Sequence, residues 1–74
     1  MRIELEFLDM DKVVLHNNEM VYKIDESIAY PNAGDRVYIE GMLYEVKERD
    51  FIYLSGAAGI DLKISFWCEE VQRK

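Results

Sequence analysis

Two side chains in this chain are well suited to nucleophilic or acid–base chemistry, the single cysteine, Cys68, and the single histidine, His16. The alternation around Cys68 places it on the same side of a strand as Phe66, where an apolar setting raises the pKa of a thiol and makes it inert. His16 falls in a predicted turn and has no second histidine with which to share a metal ion. We therefore expect a structural cysteine, a solvated histidine and no catalytic residue.

Acidic residues are frequent, but their spacing fits turns and solvated faces better than a reactive site. Asp9 and Asp11 have the two-residue spacing of some calcium loops without the mid-loop glycine and terminal glutamate that complete one. The adjacent acids of Asp25-Glu26 and Glu69-Glu70 diverge in an extended strand, unlike the facing carboxylates of a hydrolase. Residues 55–59 contain glycine but lack the Gly-Lys-Ser/Thr ending of a phosphate loop. We predict no metal, no cofactor and no enzymatic activity.

Length and charge restrict the class of protein further. The 74 residues suffice for one domain, 1–74, and nine basic against fifteen acidic residues give a net charge of −6. This acidic field disfavours nucleic acid and anionic membranes as partners. The lone cysteine fits a reducing compartment, and charges interrupt the N-terminal MRIELEF before it could form a signal or membrane-spanning segment. We expect a cytoplasmic protein, although cleavage of an earlier signal is an alternative.

The elements that would position any site are strands, and the strongest strand signal covers residues 34–54. Val37 and Ile39 alternate with polar residues before Gly41, which permits a sharp reversal, and alternation resumes after it. This pattern predicts a β-hairpin at the centre of a small sheet. The alternation breaks at Arg49-Asp50, where we expect a bulge.

The N-terminal half predicts three further strands. Ile3, Leu5 and Phe7 alternate with Arg2, Glu4 and Glu6 in a first strand, which ends in a turn at Asp9-Met10-Asp11. Its charged face suggests an edge position. Val13 to Leu15 and Met20 to Ile24 predict a second hairpin with His16, Asn17 and Asn18 at its turn.

A turn-rich loop, 25–35, follows that hairpin. It contains the only proline, Pro31, and Gly34 can supply a positive φ before the central hairpin. Tyr30 is expected to fold onto the core.

The last predicted strand runs from about residue 61 to 71. One of its faces is apolar and carries Leu62, Ile64, Phe66 and Cys68. Lys63, Ser65 and Trp67 lie on the other. Five or six short strands without a helix-period segment predict an all-β fold, either a small SH3-like barrel or a rolled antiparallel sheet, with an OB-type barrel second.

Trp67 is the most informative residue for function, because a large aromatic side chain on a polar face often marks a contact site. Two interpretations stay open: another element, such as the 25–35 loop or the first strand, covers Trp67, or a partner does. We take Trp67, Lys63, Ser65 and Tyr38 as a candidate interface.

The favoured hypothesis is a non-catalytic protein-binding or assembly module that uses an aromatic patch and strand edges, with another protein or further copies of itself as partner. The alternative is a small barrel that binds nucleic acid by stacking bases on tyrosines. The tyrosines in question are Tyr22, Tyr30, Tyr38, Tyr44 and Tyr53. Their interleaving with acids favours core and cross-strand packing instead.

Overall fold

A computed structural model describes residues 2–21, 30–55 and 59–72. It contains five strands, β1 (Arg2–Asp9), β2 (Val14–Val21), β3 (Arg36–Ile39), β4 (Met42–Tyr53) and β5 (Leu62–Glu70). They form one mixed sheet in the order β2-β1-β5-β4-β3, which is nearly closed and barrel-shaped. The predicted small all-β fold is confirmed. The sheet is not purely antiparallel, because β1 and β5 run parallel. Within the described ranges no helix is long and apolar enough to cross a membrane.

The core lies on one face of the sheet and is built mainly by β1 and β5. Alternate residues of these strands point inward, as the period of two in the sequence requires. The core residues are Ile3, Leu5, Val46, Leu62, Ile64, Phe66 and Cys68. Burying a large aliphatic or aromatic side chain stabilises a fold by roughly 1.5–3 kcal/mol, so burial of these residues is a large favourable contribution to folding. The predicted inward face of the last strand is confirmed.

A row of ring and guanidinium groups crosses four strands on the core face. His16, Phe7, Phe66 and Arg49 lie directly opposite one another on β2, β1, β5 and β4. The rings of Phe7 and Phe66 stack with centroids 4.6 Å apart, and the His16 ring lies 6.1 Å from that of Phe7. Tyr30 covers the other end, with the Arg49 guanidinium carbon 5.7 Å from its ring centroid. Tyr30 therefore packs on the core as expected.

The predicted hairpin is confirmed and its turn consists of two residues, but its expected place at the centre of the sheet is wrong, because β3 is the last strand in the order β2-β1-β5-β4-β3. Ile39 pairs with Met42, and between them Glu40 and Gly41 have φ values of 50° and 83°. Positive φ at both positions is the mark of the type I′ turn, whose twist matches that of paired strands. Gly34 also has a positive φ, 96°, as predicted.

The irregularity in β4 lies at Lys47, between Val46 and Glu48, rather than at the predicted Arg49-Asp50. The irregularity lies just after the point where the pairing of β4 with β3 ends. The Val46 carbonyl accepts from the Gly34 amide at 2.7 Å, and the Val46 amide donates to the Asp35 carbonyl at 2.9 Å. Beyond this point β4 continues beside β5, and one extra residue lets it bend.

The predicted second hairpin is wrong, because β2 is one continuous strand through His16, Asn17 and Asn18. All three residues pair with β1. Asn17 Nδ2 donates to the Glu4 carboxylate, and the His16 ring faces Phe7. These cross-strand contacts override the turn preference of asparagine. Residues 22–24 of that prediction, and 25–29 of the predicted loop, lie outside the described residues.

The chain reverses at the start of β2 instead, at the turn predicted after the first strand. Asp9 Oδ1 accepts from the amides of Asp11 at 2.8 Å and Val13 at 2.9 Å. The Asp9 carboxylate therefore organises the turn, to which Asp11 contributes its backbone amide.

The expectation that β1 forms a sheet edge is also wrong, since β1 lies between β2 and β5. Its two glutamates find partners on the neighbouring strands. Glu4 accepts from Asn17 on β2, and Glu6 Oε1 lies 3.3 Å from Lys63 Nζ on β5. These contacts offset the repulsion on which the edge expectation rested.

Candidate functional site

The predicted face of β5 is confirmed as a stripe on the side of the sheet opposite the core, which we call the polar face. Lys63, Ser65 and Trp67 alternate along it, with Glu6 of β1 and Asp50 of β4 directly beside Ser65. Two diagonal contacts between neighbouring strands flank Ser65. Lys63 pairs with Glu6, and Trp67 Nε1 donates to Asp50 Oδ2 at 2.8 Å. The stripe is therefore held by contacts within the chain.

These contacts change what each residue of the stripe could offer a partner. Ser65 is 4% exposed, so its hydroxyl lies beneath the longer side chains around it. Trp67 is half-buried, and its indole N–H is already bonded to Asp50. Only part of the Trp67 ring is therefore available for contact with a partner. Lys63 is likewise engaged, by Glu6.

Tyr38 lies apart from the stripe, on β3, which is two strands from β5. Tyr38 is 69% exposed and is one of the residues around an open cleft of about 480 Å³, although its side chain points to the face of β3 opposite Val37 and Ile39. The cleft is lined by Phe7, His16, Val37, Tyr38, Ile39 and Glu40. The alternation of β3 predicts that Tyr38 points away from the core. The approach of β3 to β1 and β2 depends on the topology of the whole sheet. Tyr38 is therefore the one residue of the four predicted for an interface that lies at the cleft, and the cleft itself was not predicted.

The cleft separates the two ends of the sheet. In the part of the chain that is described, β2 pairs with β1 alone and β3 with β4 alone. Each strand thus has a second edge whose backbone amides and carbonyls can pair with another strand. An apolar floor between two such edges suits an extended polypeptide better than a polar metabolite.

The polar face and the cleft margin are acidic. Glu4 lies directly across from Glu19, and Glu45 across from Glu69, which are two like-charge pairs between neighbouring strands. Lys47 relieves the second pair: its Nζ lies 2.8 Å from Glu45, and this hydrogen bond lowers the pKa of Glu45 and raises the pKa of Lys47.

The residues with nucleophilic potential are not brought together. Cys68 is fully buried on β5 opposite Val46, while His16 lies on β2, two strands away. Burial raises the pKa of the Cys68 thiol to about 11, and its Sγ donates to the Phe66 carbonyl at 3.5 Å. In residues 2–21, 30–55 and 59–72, no three His, Cys, Asp or Glu side chains cluster as metal ligands do.

The tyrosines divide into two kinds. Tyr30 and Tyr44 pack against the core, whereas Tyr38 and Tyr53 are 69% and 78% exposed. Tyr22 lies outside the described residues. Packing therefore explains two tyrosines and leaves two on the surface, of which one lies at the cleft.

Comparison with known protein families, curated proteins and solved structures finds no match to this chain.

Proposed function

We propose that this chain is a non-catalytic protein-binding or assembly module that acts through an aromatic patch and its strand edges. The observation that carries the proposal is the open cleft, an apolar surface between two strands that each have a free edge in the described part of the chain. We further propose an SH3-like small barrel that works in the cytoplasm.

Tyr38 is the proposed anchor, because it combines high exposure with a position at the cleft. Tyrosine suits this role, since its ring buries a large area and its hydroxyl can bond a partner. Trp67, which lies two strands away on the polar face, is proposed as a second contact point through the exposed part of its ring. Lys63 is paired with Glu6 and Ser65 is buried, so neither is proposed to touch the partner.

Charge supports a protein partner over a nucleic acid. The net charge of −6 and the like-charge pairs on the polar face repel phosphates and attract basic segments. Basic side chains that could follow a phosphate backbone are also engaged here, as Lys63 and Lys47 pair with Glu6 and Glu45.

Two exposed tyrosines provide a matched test. Tyr38→Glu introduces a charge at the cleft, whereas Tyr53→Glu introduces the same charge at a more exposed tyrosine that does not line it. Light scattering on a sizing column over a range of concentrations measures self-association, and immobilised chain measures retention of partner proteins. Tyr38→Glu should abolish whichever association the unmodified chain shows, and Tyr53→Glu should preserve it.

The proposal fails if the unmodified chain neither self-associates nor retains a partner. It fails equally if both tyrosine variants behave like the unmodified chain. Circular dichroism verifies that both variants are folded, so that loss of binding is not loss of structure.

A further inference from the structure

We infer that the cleft receives an extended segment of another protein, which adds to the free edge of β2 with apolar side chains facing inward and lysine or arginine side chains facing outward. This inference rests on the proposed function and specifies the chemical class of the partner. The backbone of β2, the cleft lining and the charge of Glu19 each support it.

The backbone of β2 is suited to strand addition by its length and its composition. β2 has eight residues and β3 has four, so β2 offers the longer free edge. Natural edge strands are commonly protected from pairing by lysine, proline or extreme shortness. The sequence of β2, VLHNNEMV, contains neither lysine nor proline, and its irregularity lies at Leu15, so that the residues from His16 to Val21 pair regularly with β1. An edge of this kind is a template for strand addition, in which main-chain hydrogen bonds supply affinity.

The inward side of an added strand would face the cleft. On β2, His16 points to the core face, where it lies opposite Phe7. Across the cleft stand Val37 and Ile39, both of which point to the core side of β3. A residue of the incoming strand placed beside His16 therefore has the rings of His16 and Phe7 on one side and the apolar side chains of Val37 and Ile39 on the other. Alternate residues of the partner should accordingly be apolar.

The outward side of the added strand would meet uncompensated negative charge. Glu19 is exposed on β2 and lies directly across from Glu4, and within the described ranges Glu19 has no ion-pair partner. Cross-strand neighbours lie about 4.5–5.5 Å apart between Cβ atoms, so a lysine on the incoming strand could pair with Glu19. Glu40 adds a second carboxylate at the cleft. A second copy would bring its own −6 charge to this margin, so charge favours a basic partner over self-pairing.

The test uses fluorescence anisotropy with a labelled eight-residue peptide in which valine and lysine alternate. Three controls isolate its features. A peptide of the same composition with the residues in pairs, Val-Val-Lys-Lys, removes the alternation. Two peptides methylated at the backbone nitrogens of odd or of even residues each block hydrogen bonding from one edge. We expect binding of the alternating peptide, loss of binding with one methylation pattern and retention with the other.

A pair of protein variants tests whether the peptide binds beside Glu19 on β2. Glu19→Lys reverses the charge on β2, and Glu48→Lys makes the same change at an exposed position of β4, three strands away. Glu19→Lys should weaken peptide binding about fivefold or more, while Glu48→Lys should change it less than about twofold. Equal weakening by both would show binding by net charge and would overturn the inference.

The remaining outcomes separate this inference from the proposed function. If no peptide binds while the chain shows Tyr38-dependent association with itself or another protein, the inference is overturned and the proposed function stands. If the paired peptide binds as well as the alternating one, strand addition is overturned. If peptide binding and Tyr38-dependent association are both absent, both proposals fail.

Discussion

The hydrogen bond from Trp67 to Asp50 gives Trp67 a structural role in addition to its predicted role in binding. Alternation alone placed an unpaired indole on a polar face. In the structure its N–H donates to Asp50 at 2.8 Å, so part of the ring is used in tying β5 to β4. A residue predicted for contact with a partner thus also has a structural role.

We predict that Trp67→Phe lowers the free energy of unfolding by about 1 kcal/mol, because a side-chain hydrogen bond contributes roughly 0.5–1.5 kcal/mol net. Asp50→Ala should have a similar effect. Urea denaturation followed by circular dichroism measures both. The double variant should lose less than the sum of the single losses, since each removes the same bond; strict additivity would show that the two side chains do not interact.

Cys68 predicts a dependence of stability on pH. Its thiol pKa rises from about 9.0 to about 11 in the folded chain, because burial disfavours the thiolate. Below pH 9 the thiol is neutral in both states and this contribution to stability is fully present. Between pH 9 and 11 the unfolded chain releases the proton more readily, so stability should fall by about 2 kcal/mol as pH rises.

Tyrosine and lysine side chains also titrate in this range, so Cys68→Ala serves as the reference. The variant should be less stable at neutral pH, because a buried sulfur is lost, but its stability should decline less steeply above pH 9. Parallel curves for both proteins would mean that Cys68 does not carry the effect. Urea unfolding at a series of pH values gives both curves.

Among the elements, the β3–β4 turn carries the clearest prediction. Glu40 occupies a position with φ 50°, which costs energy for a glutamate and little for an asparagine. Glu40→Asn should therefore stabilise the chain by about 0.5–1 kcal/mol, since Asn-Gly is the preferred type I′ pair. Thermal unfolding measures the change.

Gly41→Ala is the matched opposite case. A Cβ at Gly41 would meet no atom within 4 Å, so the φ of 83° is the source of strain. We expect a loss of about 1 kcal/mol. A stabilising Gly41→Ala would contradict the type I′ assignment.

Strands and turns whose position is determined by the local sequence pattern could be predicted, and those determined by pairing with distant strands could not. The alternation in β1 and β5 was sufficient to predict these strands, because one buried face fixes a period of two. Gly41 was sufficient to predict the β3–β4 turn, because a glycine permits the reversal. The course of β2 was not predictable, since Asn17 and Asn18 favour turns locally and are held extended by their pairing with β1. The bulge at Lys47 depends on where β4 separates from β3.

The cleft belongs to the whole molecule and could not be predicted from local patterns. It exists because β1 pairs with β5, which brings His16 and Phe7 around toward β3. Nothing in the spacing of residues specifies which strands become neighbours. Tyr38 and Trp67 were grouped in one candidate interface, whereas the fold puts Tyr38 at the cleft and Trp67 two strands away on the polar face.

The parallel pairing of β1 with β5 also predicts slow folding. Leu5 pairs with Ile64, so the core requires contacts between residues far apart in sequence. Small β proteins dominated by non-local pairing fold in about milliseconds to seconds. Stopped-flow refolding followed by Trp67 fluorescence should give relaxation in this range. Relaxation within microseconds would contradict the pairing.

The same pairing matters when the chain is made on the ribosome. Arg2 of β1 emerges 60 residues before Leu62 of β5. At about 5–20 residues per second, the interval is about 3–12 seconds. β1 and β2 can meet during that time, but Ile3, Leu5 and Phe7 have no β5 to cover them. The nascent chain therefore exposes an apolar strand face throughout much of its translation, when binding by a chaperone would protect it from aggregation.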